Sequence, residues 1–82
     1  MRIILNSEYV EYLIARRNRT KQWFAVRVGV SNVYLSLWFS HQRNPGPDSR
    51  RRIVRVLRGP GVTWEKLFLC KNDDTTTSFD AS

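Results

Sequence analysis

Apolar positions recur along most of this chain at the spacing of a helix face and not in the alternation of a strand. Val10, Leu13 and Ile14 stand at i, i+3 and i+4, which puts all three on one side of a helix. Asn6 or Ser7 can act as its N-cap, Arg16 and Arg17 suit the negative end of its dipole, and Asn18 can close it. A second helix is predicted after Thr20, a capping residue, with Phe24, Ala25 and Val28 on its buried face. Gly29 ends it, because glycine accepts positive φ. Ser31 caps a third helix whose stripe of Leu35, Trp38 and Phe39 fades near Ser40. Only Gly29 to Ser31 separate the two, so the turn is tight and the helices must cross steeply.

Beyond Ser40 the pattern breaks. Asn44, Pro45, Gly46 and Pro47 bar regular structure and make His41 to Pro47 an exposed loop. Asp48 or Ser49 then caps a fourth helix with Ile53, Val54 and Leu57 as its apolar face and Arg50, Arg51, Arg52, Arg55 and Arg58 over most of the rest. Gly59, Pro60 and Gly61 interrupt it. Thr63 starts a short fifth helix whose Trp64, Leu67 and Phe68 return to the core. The expected organisation is an N-terminal arm at 1–5, which pairs with another chain or frays, a helical domain at 6–70, and a disordered polar tail at 71–82. There is no internal repeat and no strand signal beyond the arm.

Eighty-two residues, 41% of them apolar, allow one small domain with a modest core. A chain of this size buries about 60 to 65% of its unfolded surface, so stability is marginal and a dimer interface would add to it. The net charge of +7 is unevenly spread. From Arg16 to Arg58 there are eleven basic residues and one acidic residue, Asp48, whereas the segments before and after are slightly acidic. A cationic middle is the footprint of a nucleic-acid binder. A generic soluble surface, or one facing an acidic protein, is the competing reading.

Other classes lack their parts. One cysteine, Cys70, and one histidine, His41, can build neither an internal disulfide nor a zinc site, so no metal or cofactor is expected. Cys70 reads as a free, partly buried thiol. His41 lies in a Gly/Pro-bounded loop, more suited to contacting a phosphate than to acting as a base, and no glycine loop is built to cradle a nucleotide. No catalytic residues are assigned, and no enzyme is expected. No run is long enough to span a bilayer and Met1 to Leu5 is too short for a secretory segment, so a cytoplasmic, nucleoid-associated protein without a membrane partner is expected.

Helix, glycine turn, helix is the arrangement that lets one helix enter the major groove while another braces it across the backbone. Seven positions agree with it: Ala25 is small where the helices approach, Gly29 is at the corner, and Phe24, Val28, Val30, Leu35 and Trp38 are apolar where the unit must bury itself. A plain helical hairpin uses similar spacing but leaves the cationic middle unexplained. With Thr20, Ser31, Pro45, Ile53, Val54, Leu57, Leu67 and Phe68, these residues resemble the lambda-repressor and Cro-like (XRE-type) helix-turn-helix family from about Tyr9 to Phe68. The resemblance implies a five-helix, all-α domain that binds operator DNA as a homodimer. The chain departs from the family pattern at Phe39 and His41, where an acidic residue and a glycine are usual, at Arg50, where an apolar residue is usual, and in a longer link at Arg58 to Gly61.

If Leu35, Trp38 and Phe39 face the core, helical geometry sends Asn32, Val33, Ser36 and Leu37 to the opposite side, toward base edges. Asn32 suits adenine N6 and N7, Val33 and Leu37 suit thymine methyls, and Ser36 can bond either partner. Contact with another protein is the competing use of Val33 and Leu37. Lys21 and Gln22 sit in the first turn of the second helix, where free amides and the dipole favour phosphate. The resemblance implies that they clamp one side of the backbone. Arg43, Asn44 and Tyr34 are placed on the other side, and Ser31 caps its helix and is a further phosphate candidate.

The expected function is therefore a sequence-specific double-stranded DNA-binding transcriptional regulator, with repression by promoter occlusion the simplest mode. A dimer would read half-sites about 34 Å apart. Two alternatives are an antitoxin with a toxin partner, engaged through Met1 to Leu5 or the acidic tail, and a protein-interaction module on the same fold, docking through Val33, Leu37 and Trp23.

Overall fold

The structure, a computed structural model, describes residues 2–71. Its elements are β1 (Arg2–Leu5), α1 (Ser7–Arg16), α2 (Lys21–Val28), α3 (Asn32–Phe39), α4 (Pro47–Val56), α5 (Trp64–Leu67) and β2 (Phe68–Lys71). The domain is mostly helical with the five helices expected, and the expectation of an all-α chain is corrected only by one small two-stranded sheet. Arg2–Leu5 is no free arm: β1 pairs antiparallel with β2 of the same chain, Arg2 opposite Lys71 and Leu5 opposite Phe68. Of the predicted tail, Lys71 belongs to β2, and residues 72–82 lie outside the described residues. Short apolar runs such as Ile3 to Leu5 and Phe68 to Cys70 do not declare helix or strand by themselves. Their pairing is decided by a partner more than sixty residues away.

Local chemistry sets most helix ends. The side chains of Asn6, Thr20 and Ser31 accept hydrogen bonds from the amides of Tyr9, Trp23 and Tyr34, at 3.4, 3.1 and 3.0 Å. Each satisfies a donor that has no partner inside its helix. Asn6 also ties the chain ends together, because its Nδ2 donates to Lys66 O at 2.9 Å and its amide to Leu67 O at 2.8 Å. Gly29 closes α2 with φ +90°, a left-handed conformation in which a Cβ is strained. The start of α4 differs from expectation. Gly46 is its N-cap, without a side-chain bond, and Pro47 opens the first turn. Proline is preset for that position and lacks only an amide that would be unpaired there, which leaves Asp48 in the first turn, favourable to the dipole.

The core draws on every helix and on the Leu5–Phe68 pair of the sheet. Leu5, Val10, Leu13, Ile14, Phe24, Ala25, Val28, Leu35, Trp38, Ile53, Leu57, Leu67 and Phe68 form one buried cluster. Trp64, expected inside, is 36% exposed. In so short a helix Leu67 and Phe68 take the interior, and the Trp64 ring rests on the Phe68 ring with centroids 5.1 Å apart. Cys70 is an exposed free thiol, not a partly buried one. Arg17 does more than favour the dipole of its own helix. Its guanidinium donates to Val56 O, Leu57 O and Arg58 O at 3.1, 2.8 and 3.0 Å, and so receives the unpaired carbonyls at the end of α4. Among the described residues, no helix is long and apolar enough to cross a membrane.

Candidate nucleic-acid interface

The α2–turn–α3 unit separates an inner from an outer face. Inward, Phe24, Ala25, Val28, Leu35 and Trp38 are all buried. Outward, Asn32, Val33 and Ser36 are exposed, and Val33 keeps 74% of its surface in solvent. Leu37, grouped with them on helical geometry, is half-buried. The chain folds back at this point, with the amides of Gln42 and Arg43 donating to Leu37 O at 2.9 and 3.1 Å. The outer face of α3 is thus carried chiefly by Asn32, Val33 and Ser36.

The hydroxyl of Ser36 donates to Asn32 O at 3.0 Å, which uses its proton and leaves its lone pairs free to accept from an incoming donor. Ser31 is the converse. Its oxygen accepts the Tyr34 amide, and its proton remains available to an anion. Tyr34 is exposed, and its ring meets Trp38 edge-on with centroids 5.4 Å apart. An edge contact of this kind is worth about 0.5 to 1.5 kcal/mol beyond the area it buries.

The structure brings Lys21, Gln22, Asn32 and Ser36 together along one open groove of about 590 Å³ between α1, α2 and α3, with Ser7, Glu11, Leu35, Phe39 and Ser40 completing its lining. The backbone amides of Lys21 and Gln22 at the start of α2, and those of Asn32 and Val33 at the start of α3, have no hydrogen-bond partner among the described residues. Two helix N-termini with free donors on one side of the molecule make an electropositive surface suited to phosphate. Ser31, Val33, Tyr34, Leu37, Arg43 and Asn44 do not line the groove. Arg43 and Asn44 are exposed in the loop after α3, and that loop is tethered to α4 by Arg50 Nη1, which donates to Pro45 O at 2.9 Å.

Three participants were not expected. Glu11 of α1 reaches across the groove to Lys21, Oε2 to Nζ at 2.6 Å, and the same ammonium lies 4.8 Å from the centre of the Phe39 ring. His41 has φ +64° and turns back toward the strand, with Nε2 3.0 Å from Leu5 O and 3.4 Å from Ser7 Oγ. A carbonyl can only accept, so Nε2 carries a proton in this arrangement. His41 thereby links the end of α3 to the β1–α1 junction. Nothing local in the sequence signals that residue 11 meets residue 21, or that residue 41 meets residue 5, since both contacts follow from how α1 lies against the α2–α3 unit.

Trp23, half-buried on α2, has two guanidinium groups near its ring, Arg19 at 5.5 Å and Arg27 at 6.0 Å from its centre. Near it in sequence, Val26 is 71% exposed. No family model matches the chain, and no curated protein or solved structure matches it significantly.

Proposed function

We propose that the chain is a sequence-specific double-stranded DNA-binding regulator of the lambda-repressor-like helix-turn-helix type, acting as a homodimer that occludes a promoter. The observation that carries this reading is the outer face of α3. Asn32, Val33 and Ser36 are solvent-exposed on a helix pinned from behind by buried Leu35 and Trp38, with the free amides and Lys21 of α2 beside them in one groove. Base-reading groups and phosphate-holding groups need such adjacency. In this reading Asn32, Val33 and Ser36 address base edges, with Leu37 at the margin, while Lys21, Gln22, Ser31, Tyr34, Arg43 and Asn44 hold the backbone.

Selection of bound duplexes from a random pool, followed by salt titration of the winner, tests the proposal. Affinity is expected to fall with salt at a log–log slope of about −0.9 per phosphate neutralised, and a mixed-sequence duplex to bind far more weakly. A flat salt response would refute it. The exposure of Val26 beside that of Val33 favours a second reading, a protein-interaction module on the same scaffold. That reading predicts no selected sequence at any salt concentration.

A further inference from the structure

Lys21 is the side chain best placed to hold a phosphate at the start of α2, yet in the unliganded molecule its charge is already taken by Glu11. Both groups are about half-exposed, with side-chain exposures of 56 and 47%, so the pair is loose enough to open and contributes little to stability. Both line the groove that also holds Gln22, Asn32 and Ser36. The free amides of Lys21 and Gln22 face the same need for an anion that the ammonium does.

We propose that the Glu11 carboxylate holds the place of a DNA phosphate in the free protein, so that docking is an exchange of partners at Lys21. The inference rests on reading the α2–α3 face as a DNA surface. The exchange has two physical consequences. Lys21 is kept folded toward the groove, against Glu11 and the Phe39 ring, with about half of its side chain still in solvent. After the exchange, Glu11 remains as an anion beside the phosphate that displaced it. The site's net neutralisation of that phosphate is then close to zero, and a cation stays behind that would otherwise be released. Glu11 is in this sense a positioning residue that moderates the electrostatic, sequence-independent part of binding.

The test uses the full chain with its Glu11→Gln variant, and Glu65→Gln as a control for loss of one negative charge. Glu65 is an exposed residue of α5 that does not line the groove. Two duplexes serve as probes, one selected from a random pool by the wild-type chain and one of mixed sequence. Glu11→Gln is expected to bind both about two- to fivefold more tightly near physiological salt, the size of one exposed charge interaction. Its salt slope is expected to steepen by up to about 0.9, one additional counterion released. Glu65→Gln is expected to change neither by half as much, because exposed charges farther away are screened. In a Lys21→Ala background, Glu11→Gln is expected to have a smaller effect, since no Lys21–Glu11 pair is left to exchange, and an equal or larger effect there would overturn the exchange. Equal effects of Glu11→Gln and Glu65→Gln, or an unchanged salt slope in Glu11→Gln, overturn the exchange while leaving DNA binding intact. Failure of the wild-type chain to bind either duplex in a salt-dependent way overturns the DNA reading itself, and the exchange with it.

Discussion

Helices α3 and α4 make opposite use of charge. α3, the helix with the exposed outer face, holds no charged residue at all, while α4 holds four arginines and Asp48 in ten positions. Several of those charges serve the scaffold. Arg50 ties the loop after α3 to the start of α4, Arg51 pairs with Asp48 one turn away, and the far end of α4 is closed by Arg17, the C-cap of α1. On α3 the outward groups are short amides, hydroxyls and a branched aliphatic, held in place by buried Leu35 and Trp38. The contrast separates two jobs that a net charge merges. Cationic density says where a polyanion is drawn, whereas discrimination between bases needs neutral donors, acceptors and methyl-sized surfaces on a rigid element.

The sharpest way to break the comparison is from inside α3. Trp38 is fully buried, so Trp38→Ala is expected to lose about 3 to 5 kcal/mol, the usual cost of emptying an aromatic site. That is a large part of the stability available to a domain of this size, about 5 to 15 kcal/mol. Chemical denaturation should show a lowered or vanished midpoint. Val33→Ala on the outer face of the same helix should stay within about 0.5 kcal/mol of the parent chain. If Val33→Ala cost as much as Trp38→Ala, α3 would have no free face.

Next in size is the clamp on α4. Arg17 is half-buried and donates to three carbonyls. Its replacement by Ala leaves those acceptors without a charged donor, and a loss of about 1.5 to 3 kcal/mol is expected in the same denaturation experiment. Arg17→Lys should recover only part of it, because a lysine lacks the planar fork that serves several acceptors at once. Full recovery by lysine would mean that charge alone matters there.

Slightly smaller, and confined to binding, is the effect expected at Asn32. Asn32→Ala should relax preference at one base pair by about 1 to 3 kcal/mol with unfolding unchanged. Lys21→Ala should weaken all sequences about equally and flatten the salt slope by about one. Competition binding over single-base variants of the selected duplex separates the two patterns. Identical behaviour of both variants on every sequence would remove the division between reading and holding residues.

What the sequence made legible follows the range of each interaction. Thr20, Ser31 and Gly29 could be placed because capping and left-handed turns are decided within three or four residues, and Phe24, Ala25, Val28, Leu35 and Trp38 because helical period alone selects their face. The β1–β2 pairing, the Arg17 clamp, the Glu11–Lys21 pair and the turn of His41 toward Leu5 join residues from 10 to 69 positions apart. No local pattern encodes such contacts. Leu37 is more covered, and Trp64 less covered, than helical period predicts for a related reason. Both lie at helix ends, where the chain turns away and the ideal angular spacing no longer decides what is covered.

The smallest expected effect is the one that most directly tests whether charge on α4 is structural or steering. Arg51 and Asp48 pair at i, i+3, with side-chain exposures of 72 and 80%. A pair this open is worth about 0 to 1 kcal/mol, since solvent screens it and holding two long side chains costs entropy. Arg51→Ala should therefore move the unfolding midpoint barely, while Asp48→Ala should also lose a favourable charge in the first turn of α4, worth about 0.3 to 1 kcal/mol. On DNA, Arg51→Ala should slow association modestly at low salt and converge with the parent chain as salt rises, because a charge that makes no phosphate contact acts only through the long-range field. A change in dissociation rate in place of association would instead put Arg51 in direct contact with the duplex, and α4 would then share the work assigned to α2 and α3.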